Sequence, residues 1–181
     1  CISSSSLPYF SATRAVIIFV VLAFASILLP FFSYKTPIKI TDQAFINLAP
    51  RLRMTTLYAV SQSVNGRVAN TCNLSEAYIG WETRWGDAVG DFAPLQGLTC
   101  SEVIALGREL NLPKEFIEKV PADGLCGSTD EDAFGFSYDE LDRWIRLGVK
   151  GEHHSEIICK HNKNRFKKLD LPHYSPPLVQ Y

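Results

Sequence analysis

The pattern of apolar and polar positions divides the chain into two parts of different character. Residues 15–32, with the sequence AVIIFVVLAFASILLPFF, are almost wholly apolar. This run is about as long as the roughly 20 residues that cross a bilayer as a helix. From Ile40 onward, apolar residues recur among polar ones at spacings typical of helices and short strands. The pattern therefore predicts a compact α/β unit from residue 40, preceded by a segment of another kind.

For the first part of this unit, the pattern predicts a helix, a short strand and a second helix. Pro50 suits the first turn of a helix, and Asn65-Gly66 is a signal for its end. The apolar face of this helix has four members: Leu52, Leu57, Val60 and Val64. Arg67–Asn70 predicts a strand, and Ser75–Trp81 predicts the next helix. A strand followed by a loop and a helix is where open α/β sheets place their ligands.

Two capping boxes mark the starts of later helices. Thr99 is followed by Glu102, and Ser137 is followed by Glu140, at the spacing that lets each pair satisfy free amides of a first helical turn. A basic helix is predicted over residues 152–165, and a Pro-rich tail covers residues 173–181. Residues 83–97, with the sequence TRWGDAVGDFAPLQG, hold three glycines and a proline and are predicted to form a loop.

An acidic stretch, residues 120–145, raises the question of a metal site. Its spacing lacks the alternating ligands of a calcium loop, which disfavours a metal cage. One group of carboxylates is predicted to lie in the first turn of the helix capped by Ser137: Asp139, Glu140 and Asp142. A second group is predicted to lie in a solvated, mobile loop: Asp130, Glu131 and Asp132. Leu141, Trp144 and Ile145 are expected to anchor the helix to the core.

Composition narrows the class of protein. The chain has 181 residues, 46% hydrophobic and 20% charged, which is ordinary for a globular protein. Its formal net charge of -1 gives no electrostatic argument for a nucleic-acid partner or an anionic membrane. Five cysteines, without a CxxC pair, disfavour both a zinc finger and a disulfide framework. A reducing compartment, and hence a cytoplasmic location, is the prediction.

Three blocks of sequence resemble the NAD synthetase family, in its ammonia-dependent form. They are NLAPRLRMTTLYAVSQ, NTCNLSEAYIGWETRWGDAVGDFAPLQGLTCSEV and VPADGLCGSTDEDAFGFSYDELDRWI, within about Asp42–Pro172. The resemblance implies an α/β fold with a Rossmann-like parallel sheet of the adenine-nucleotide α-hydrolase type, truncated at its N-terminus, and a homodimer. It divides the chain into a non-family segment 1–39, a family-like portion 40–172 and the tail 173–181.

The family's reaction is a ligation that forms a C–N bond. The carboxylate of deamido-NAD attacks the α-phosphate of ATP with loss of pyrophosphate, and ammonia then displaces AMP to give NAD. The resemblance implies Mg²⁺ bound by Glu76, and it assigns no catalytic residue to this chain. It implies ATP contacts at Thr71, Cys100 and Ala122. It implies deamido-NAD contacts at Arg51, Arg84, Asp91, Lys167 and Lys168. Residues 122–135 are expected to close as a lid over the bound nucleotide.

Simpler roles remain open for several of these residues. Glu76 suits the first turn of a helix, where a carboxylate complements the exposed amides. Thr71 could cap a turn, Asp91 could form an Asx turn, and Arg51 could form a surface ion pair. Some positions also depart from the family: Cys100 and Arg84 stand where it places lysine, Ala122 where it places threonine, and Lys167 where it places histidine.

The family's Ser-Gly-Gly loop, whose amides bind pyrophosphate, does not occur in these 181 residues. We therefore expect the chain by itself to lack synthetase activity, as an incomplete or frame-damaged enzyme. The alternative is a membrane-tethered, non-catalytic relative that binds a dinucleotide or dimerises. A third reading is a structural module without activity.

Overall fold

The computed structural model describes residues 39–122 and 127–170, so the apolar run 15–32 and the expected lid residues 123–126 lie outside it. The elements, in chain order, are α1 (Asp42–Ile46), α2 (Leu48–Ser63), α3 (Leu74–Ile79), α4 (Cys100–Glu109), α5 (Lys114–Ile117), α6 (Asp130–Phe134), α7 (Tyr138–Leu147), α8 (His154–Asn164) and the 3-10 turn η1 (Arg165–Lys168). Within these ranges, no helix combines the length and the apolarity needed to cross a bilayer.

One predicted capping box is confirmed and the other is half wrong. The Thr99 hydroxyl accepts from the Glu102 amide, and the Glu102 carboxylate accepts from the Thr99 amide at 2.8 Å. Ser137 Oγ accepts from the Glu140 amide at 3.2 Å, as predicted. The Glu140 carboxylate, however, accepts from the backbone N of His153 at 2.6 Å and lies 2.9 Å from its Nδ1. His153 offers two donors to this carboxylate, and the Ser137 amide offers only one. The second hydrogen bond of the capping box is therefore replaced by the contacts with His153.

The predicted strand Arg67–Asn70 appears only as an isolated parallel bridge between Ala69 and Phe92. The Asn70 amide donates to the Phe92 carbonyl at 2.8 Å, and the Asp91 amide donates to the Val68 carbonyl at 2.7 Å. A strand needs a paired neighbour along several residues. In the described part of the chain, the only segment paired to residues 68–70 is the short one at residues 91–92, so the predicted sheet is represented there by this bridge alone.

The core is formed where α3, α4, α7 and α8 pack together. Its buried members are Ile79, Cys100, Phe134, Phe136, Tyr138, Leu141 and Ile157. The predicted anchoring of α7 is seen: Leu141 is fully buried, and Trp144 and Ile145 pack against the core. Each large aliphatic side chain buried in this way stabilises the fold by about 1.5–3 kcal/mol. Because α3 lies at the centre of this packing, the positions of its two ends are fixed. The residues that flank α3 are therefore held in place as well.

The prediction of a solvated loop for the second acidic group is wrong for its conformation and for Asp130, whereas Glu131 and Asp132 are exposed as predicted. These residues form α6, and Asp130 is only 4% exposed. Its carboxylate accepts from the indole Nε1 of Trp81 at 3.1 Å and from the hydroxyl of Tyr138 at 3.0 Å. Glu131 accepts from the Tyr138 amide at 2.7 Å, and Asp132 completes a capping box with the residue before the helix. Hydrogen-bond donors distant in sequence thus make burial of Asp130 tolerable.

Candidate functional site

A buried carboxylate, Glu82, lies at the centre of the polar residues that follow α3. Its side chain is 0% exposed, and its Oε2 accepts from Nζ of Lys168 at 2.7 Å. Burial raises the pKa of Glu82, while the hydrogen bond from Lys168 lowers it. Oε1 has no hydrogen-bond partner among the described residues. A buried charge is strongly destabilising without a partner, so Lys168 is needed wherever Glu82 is ionised.

Lys167 is bound to the same segment through its backbone. Its Nζ donates to the carbonyl of Gly80 at 2.7 Å and to the carbonyl of Glu82 at 2.8 Å. Burial lowers the pKa of Lys167. An ammonium group has three N–H donors, so two of those on Lys167 already have protein acceptors. The structure therefore places both lysines of the expected substrate pair against residues 80–82.

Arg84 and Arg51, predicted from separate sequence blocks, are brought together. Nε of Arg51, on α2, donates to the carbonyl of Arg84 at 3.3 Å. The Arg84 guanidinium carbon lies 5.0 Å from the centroid of the Trp85 ring and 5.5 Å from that of the Phe166 ring. Its Nε is buried without a hydrogen-bond partner among the described residues. A guanidinium stacked on aromatic faces keeps its donors in one plane, available to an anion.

Glu76 occupies the third position of α3 and forms a capping box with Asn73. Its Oε2 accepts from the Asn73 amide at 2.8 Å, and its own amide donates to the Asn73 side chain at 3.0 Å. The simpler helix-start role therefore applies to Glu76 whatever else it does. Burial raises its pKa to about 7; the carboxylates of Asp130, Asp87 and Glu82 add to the rise, and the Asn73 amide opposes it.

Thr71 and Asp91 lie on the two segments joined by the parallel bridge. Thr71 is exposed. The Asp91 carboxylate accepts from the Val68 amide at 2.7 Å, across the bridge rather than in an Asx turn. Asp91 also lines an open surface cavity of about 440 Å³ beside the C-terminal end of α2. The other lining residues are Tyr58, Ser61, Gln62, Asn65, Gly66 and Arg67.

Cys100 and Ala122 are placed differently from the charged residues. Cys100 is buried in the hydrophobic core at the start of α4, where its amide donates to Ser75 Oγ at 3.0 Å. Burial raises the pKa of its thiol to about 12, so the side chain is neutral. Ala122 is exposed and precedes residues 123–126, which the structure does not describe. ATP contacts at these two positions stay predictions.

Several polar residues that organise the site were not found from the sequence. Asp87 accepts from the Thr83 amide at 2.9 Å and shapes the loop before Gly90. Asp142 was predicted in the first turn of α7, and this is wrong: it lies after that turn, is buried, and accepts from Ser75 Oγ and, at 2.8 Å, from the Ser101 amide. Its position four residues after buried Tyr138, on the same face of α7, was the available signal.

The sequence comparison decides the family. A model of the family described as NAD synthase matches residues 22–171. The chain belongs to the NAD synthase family. The resemblance predicted from the three sequence blocks is thus confirmed. The family match begins inside the apolar run, ahead of Ile40, and the domain boundary at residue 39 stays a prediction.

Individual NAD synthetases support the assignment. The chain is 41% identical over 124 residues to the NH(3)-dependent NAD(+) synthetase of Carboxydothermus hydrogenoformans, covering 68% of this chain and 50% of that protein. It is 44% identical over 107 residues to the enzyme of the same name from Archaeoglobus fulgidus, covering 59% and 43%. The chain therefore spans about half the length of the curated relatives it matches.

Solved structures support the α/β class of NAD synthetases for this fold. The NMN synthetase from Francisella tularensis matches with a TM-score of 0.73 at 33% identity, covering 86% of this chain and 63% of that one. The NH3-dependent NAD synthetase from Campylobacter jejuni matches with a TM-score of 0.59 at 29% identity, covering 83% and 62%. The membrane-tethered alternative gains no support from these relatives.

Proposed function

We propose that the protein takes part in the ATP-dependent amidation of deamido-NAD to NAD, with ammonia as the nitrogen donor and AMP and pyrophosphate as products. The observation that carries the proposal is the family match over residues 22–171. In this proposal, these residues contribute to substrate binding. No Ser-Gly-Gly loop for pyrophosphate occurs in the sequence, so adenylate formation is proposed for the complete enzyme only.

The cations near Glu82 suit an anionic dinucleotide. Arg84 presents a guanidinium with a buried, unpartnered Nε, and Arg51 adds a second positive charge beside it. Guanidinium groups bind carboxylates and phosphates in two-point contacts, which fixes the orientation of the ligand as well as its affinity. Asp91, which lines the surface cavity, is proposed to accept from a hydroxyl or amide of the same ligand.

Glu76 fits a magnesium ion as its single protein carboxylate. In the described ranges, no group of three or more His, Cys, Asp or Glu side chains is arranged to hold a metal. Mg²⁺ in nucleotide enzymes commonly has one or two carboxylates, with phosphate oxygens and water completing its shell. When bound, the ion neutralises charge on the transferring phosphate. Glu76 retains its capping bond to Asn73 in this role and contributes a carboxylate oxygen at the start of α3.

A second candidate is the amidation of a mononucleotide. The relative from Francisella tularensis is described as an NMN synthetase and gives a higher TM-score than the NAD synthetase from Campylobacter jejuni. The same chemistry on the acid form of NMN would use the same carboxylate and the same ammonia. The two candidates differ in whether the ligand carries an adenylate half, so competition between the two acids separates them.

The remaining partner proposals concern assembly and compartment. We propose a homodimer, supported by apolar side chains that α2 and the residue after it expose: Leu57, Val60 and Val64. Such a row on one face is unfavourable in water and favourable in an interface. A cytoplasmic location is supported by the free thiols of Cys72, Cys100 and Cys159.

Calorimetric titration of the 181-residue chain tests the proposal. We expect deamido-NAD to bind, more tightly than nicotinate mononucleotide, without any ATP–pyrophosphate exchange. Replacing Arg84 with Met should weaken binding about ten- to hundredfold, because a charge-assisted hydrogen bond is lost. Arg143→Met is the control, since Arg143 forms an exposed ion pair with Asp139 on α7. Tighter binding of the mononucleotide would favour the second candidate, and equal losses for Arg84 and Arg143 would refute the site.

A further inference from the structure

Side chains of α8 and η1 bind the carbonyls at the C-terminal end of α3. The contacts run in order along both segments: His161 Nδ1 lies 2.8 Å from the Tyr78 carbonyl, Asn164 Nδ2 donates to Ile79 at 2.9 Å, and Lys167 Nζ donates to Gly80 at 2.7 Å. The last carbonyls of a helix have no partners within it. These side chains provide hydrogen-bond partners for several of these carbonyls, so α8 and η1 fix the C-terminal end of α3.

Three consecutive residues of η1 extend this contact to the next segment. The Phe166 ring lies beside the guanidinium of Arg84, which also lies over the ring of Trp85, the next residue in the chain. Lys167 binds the Glu82 carbonyl, and Lys168 binds the Glu82 carboxylate. We name Phe166–Lys168 the η1 clamp. Each of its members contacts residues 80–84 rather than the open cavity beside Asp91.

We propose that the η1 clamp consists of positioning residues: it fixes residues 80–84 and thereby orients the Arg84 guanidinium toward the substrate. The inference rests on the proposed function for the role of Arg84, but its geometric part stands on the contacts alone. Lys167 has two of its three donors on backbone carbonyls, and withdrawing Lys168 would leave Glu82 buried and unpaired.

The geometric part predicts how residues 80–91 exchange their amide hydrogens. Protected amides in this segment include Trp81, bonded to the Glu76 carbonyl, and Gly86, bonded to the Thr83 carbonyl. In Lys168→Met, these amides should exchange about tenfold faster, because a hydrogen bond to a charged group is lost beside them. In Lys168→Arg, which keeps the charge, exchange should stay within about twofold of wild type.

Peptide-level mass spectrometry on the 181-residue chain measures this exchange without any ligand. Lys163→Met is the matched control, since Lys163 lies in the last turn of α8 and is exposed. Faster exchange confined to residues 80–91 in Lys168→Met supports the clamp. Unchanged exchange there, or the same acceleration in Lys163→Met, overturns it. If Lys168→Met fails to fold, the double variant Glu82→Gln/Lys168→Met removes both charges and provides the comparison.

The orienting part is tested by binding of deamido-NAD in a double-mutant cycle. Phe166 is about half exposed, so Phe166→Ala should fold. We expect Phe166→Ala to weaken binding about three- to tenfold through loss of the cation–π contact, and Phe166→Tyr to restore it. In the Arg84→Met background, Phe166→Ala should have no further effect. Additive losses would show that Phe166 contacts the substrate itself, against the proposal.

The two experiments separate the inference from the function on which it rests. If wild-type chain binds no deamido-NAD, the proposed binding role of these residues fails and with it the orienting part. The exchange measurement still decides whether η1 fixes residues 80–84. If wild type binds and the exchange is unchanged, the function stands and the clamp is rejected.

Discussion

Replacing Glu76 with Gln should make the chain more stable at pH 8 while removing the charge proposed for magnesium. The capping box survives this change, because Gln at the third helical position can accept from the Asn73 amide as Glu does. What is removed is a half-buried negative charge near Asp130, Asp87 and Glu82. The substitution therefore separates the helix-start role of Glu76 from its charge.

The magnitude follows from the pKa of Glu76, which burial raises from 4.5 to about 7. The folded state then binds a proton that the unfolded state has released, between pH 4.5 and 7. Stability is highest below pH 4.5 and falls as pH rises through 7, which is the sign for a raised carboxyl pKa. At about 1.4 kcal/mol for each unit, ionised Glu76 destabilises the fold by up to about 3 kcal/mol.

Urea unfolding of wild type and Glu76→Gln at several pH values measures this effect. The two curves should coincide near pH 4.5 and separate above it, with Gln more stable. In the complete enzyme, the same variant should lose turnover steeply. Glu102→Gln is the control: Glu102 holds the same position in α4, but its hydrogen bond from Arg146 lowers its pKa to about 2. That variant should be less stable than wild type at neutral pH. A destabilised Glu76→Gln at pH 8 would refute the reasoning.

Two further predictions concern α7. Asp142→Asn should cost about 1–3 kcal/mol in urea unfolding, because one buried partner among Ser75 and the Ser101 amide is left unsatisfied, while the exposed Asp139→Asn should stay within about 0.5 kcal/mol. For Glu140 and His153, the mutual hydrogen bond lowers the pKa of the first and raises that of the second. Glu140 thus contributes stability above pH 4.5, and His153 contributes stability that is lost as pH rises through its raised pKa. The loss of unfolding free energy in Glu140→Gln, relative to wild type, should therefore become smaller above pH 7. A loss that grows above pH 7 would contradict the pairing.

Features set by neighbouring residues could be predicted from the sequence. The capping box at Thr99 and the cap at Ser137 follow from side chains three residues apart in the chain, and both are present. The helix begun near Pro50 ends close to Asn65, whose positive φ of 49 suits a turn. Such signals need no knowledge of the rest of the fold, since both partners lie within one turn.

Features set by distant partners could not be predicted. Asp130 can be buried because Trp81 and Tyr138 donate hydrogen bonds to it, and the sequence around Asp130 gives no indication of the contact with Trp81. The carboxylate of Glu140 chooses His153 over its own cap for the same reason. For the candidate site, the family resemblance supplied Arg84 and the two lysines, whereas the central position of Glu82 emerged only from the packing of η1 against the end of α3.

The unequal surroundings of the three tryptophans give the molecule a built-in optical label. The indoles of Trp81 and Trp144 are half-buried, and each donates its N–H to a partner inside the protein, Asp130 and Tyr78 respectively. Trp85 is 49% exposed and lies beside Arg84. Emission from the first two should be constant while the fold is intact. If Arg84 binds an anion as proposed, we expect the anion to displace water from Trp85, so that the red edge of the fluorescence spectrum reports binding without an added dye.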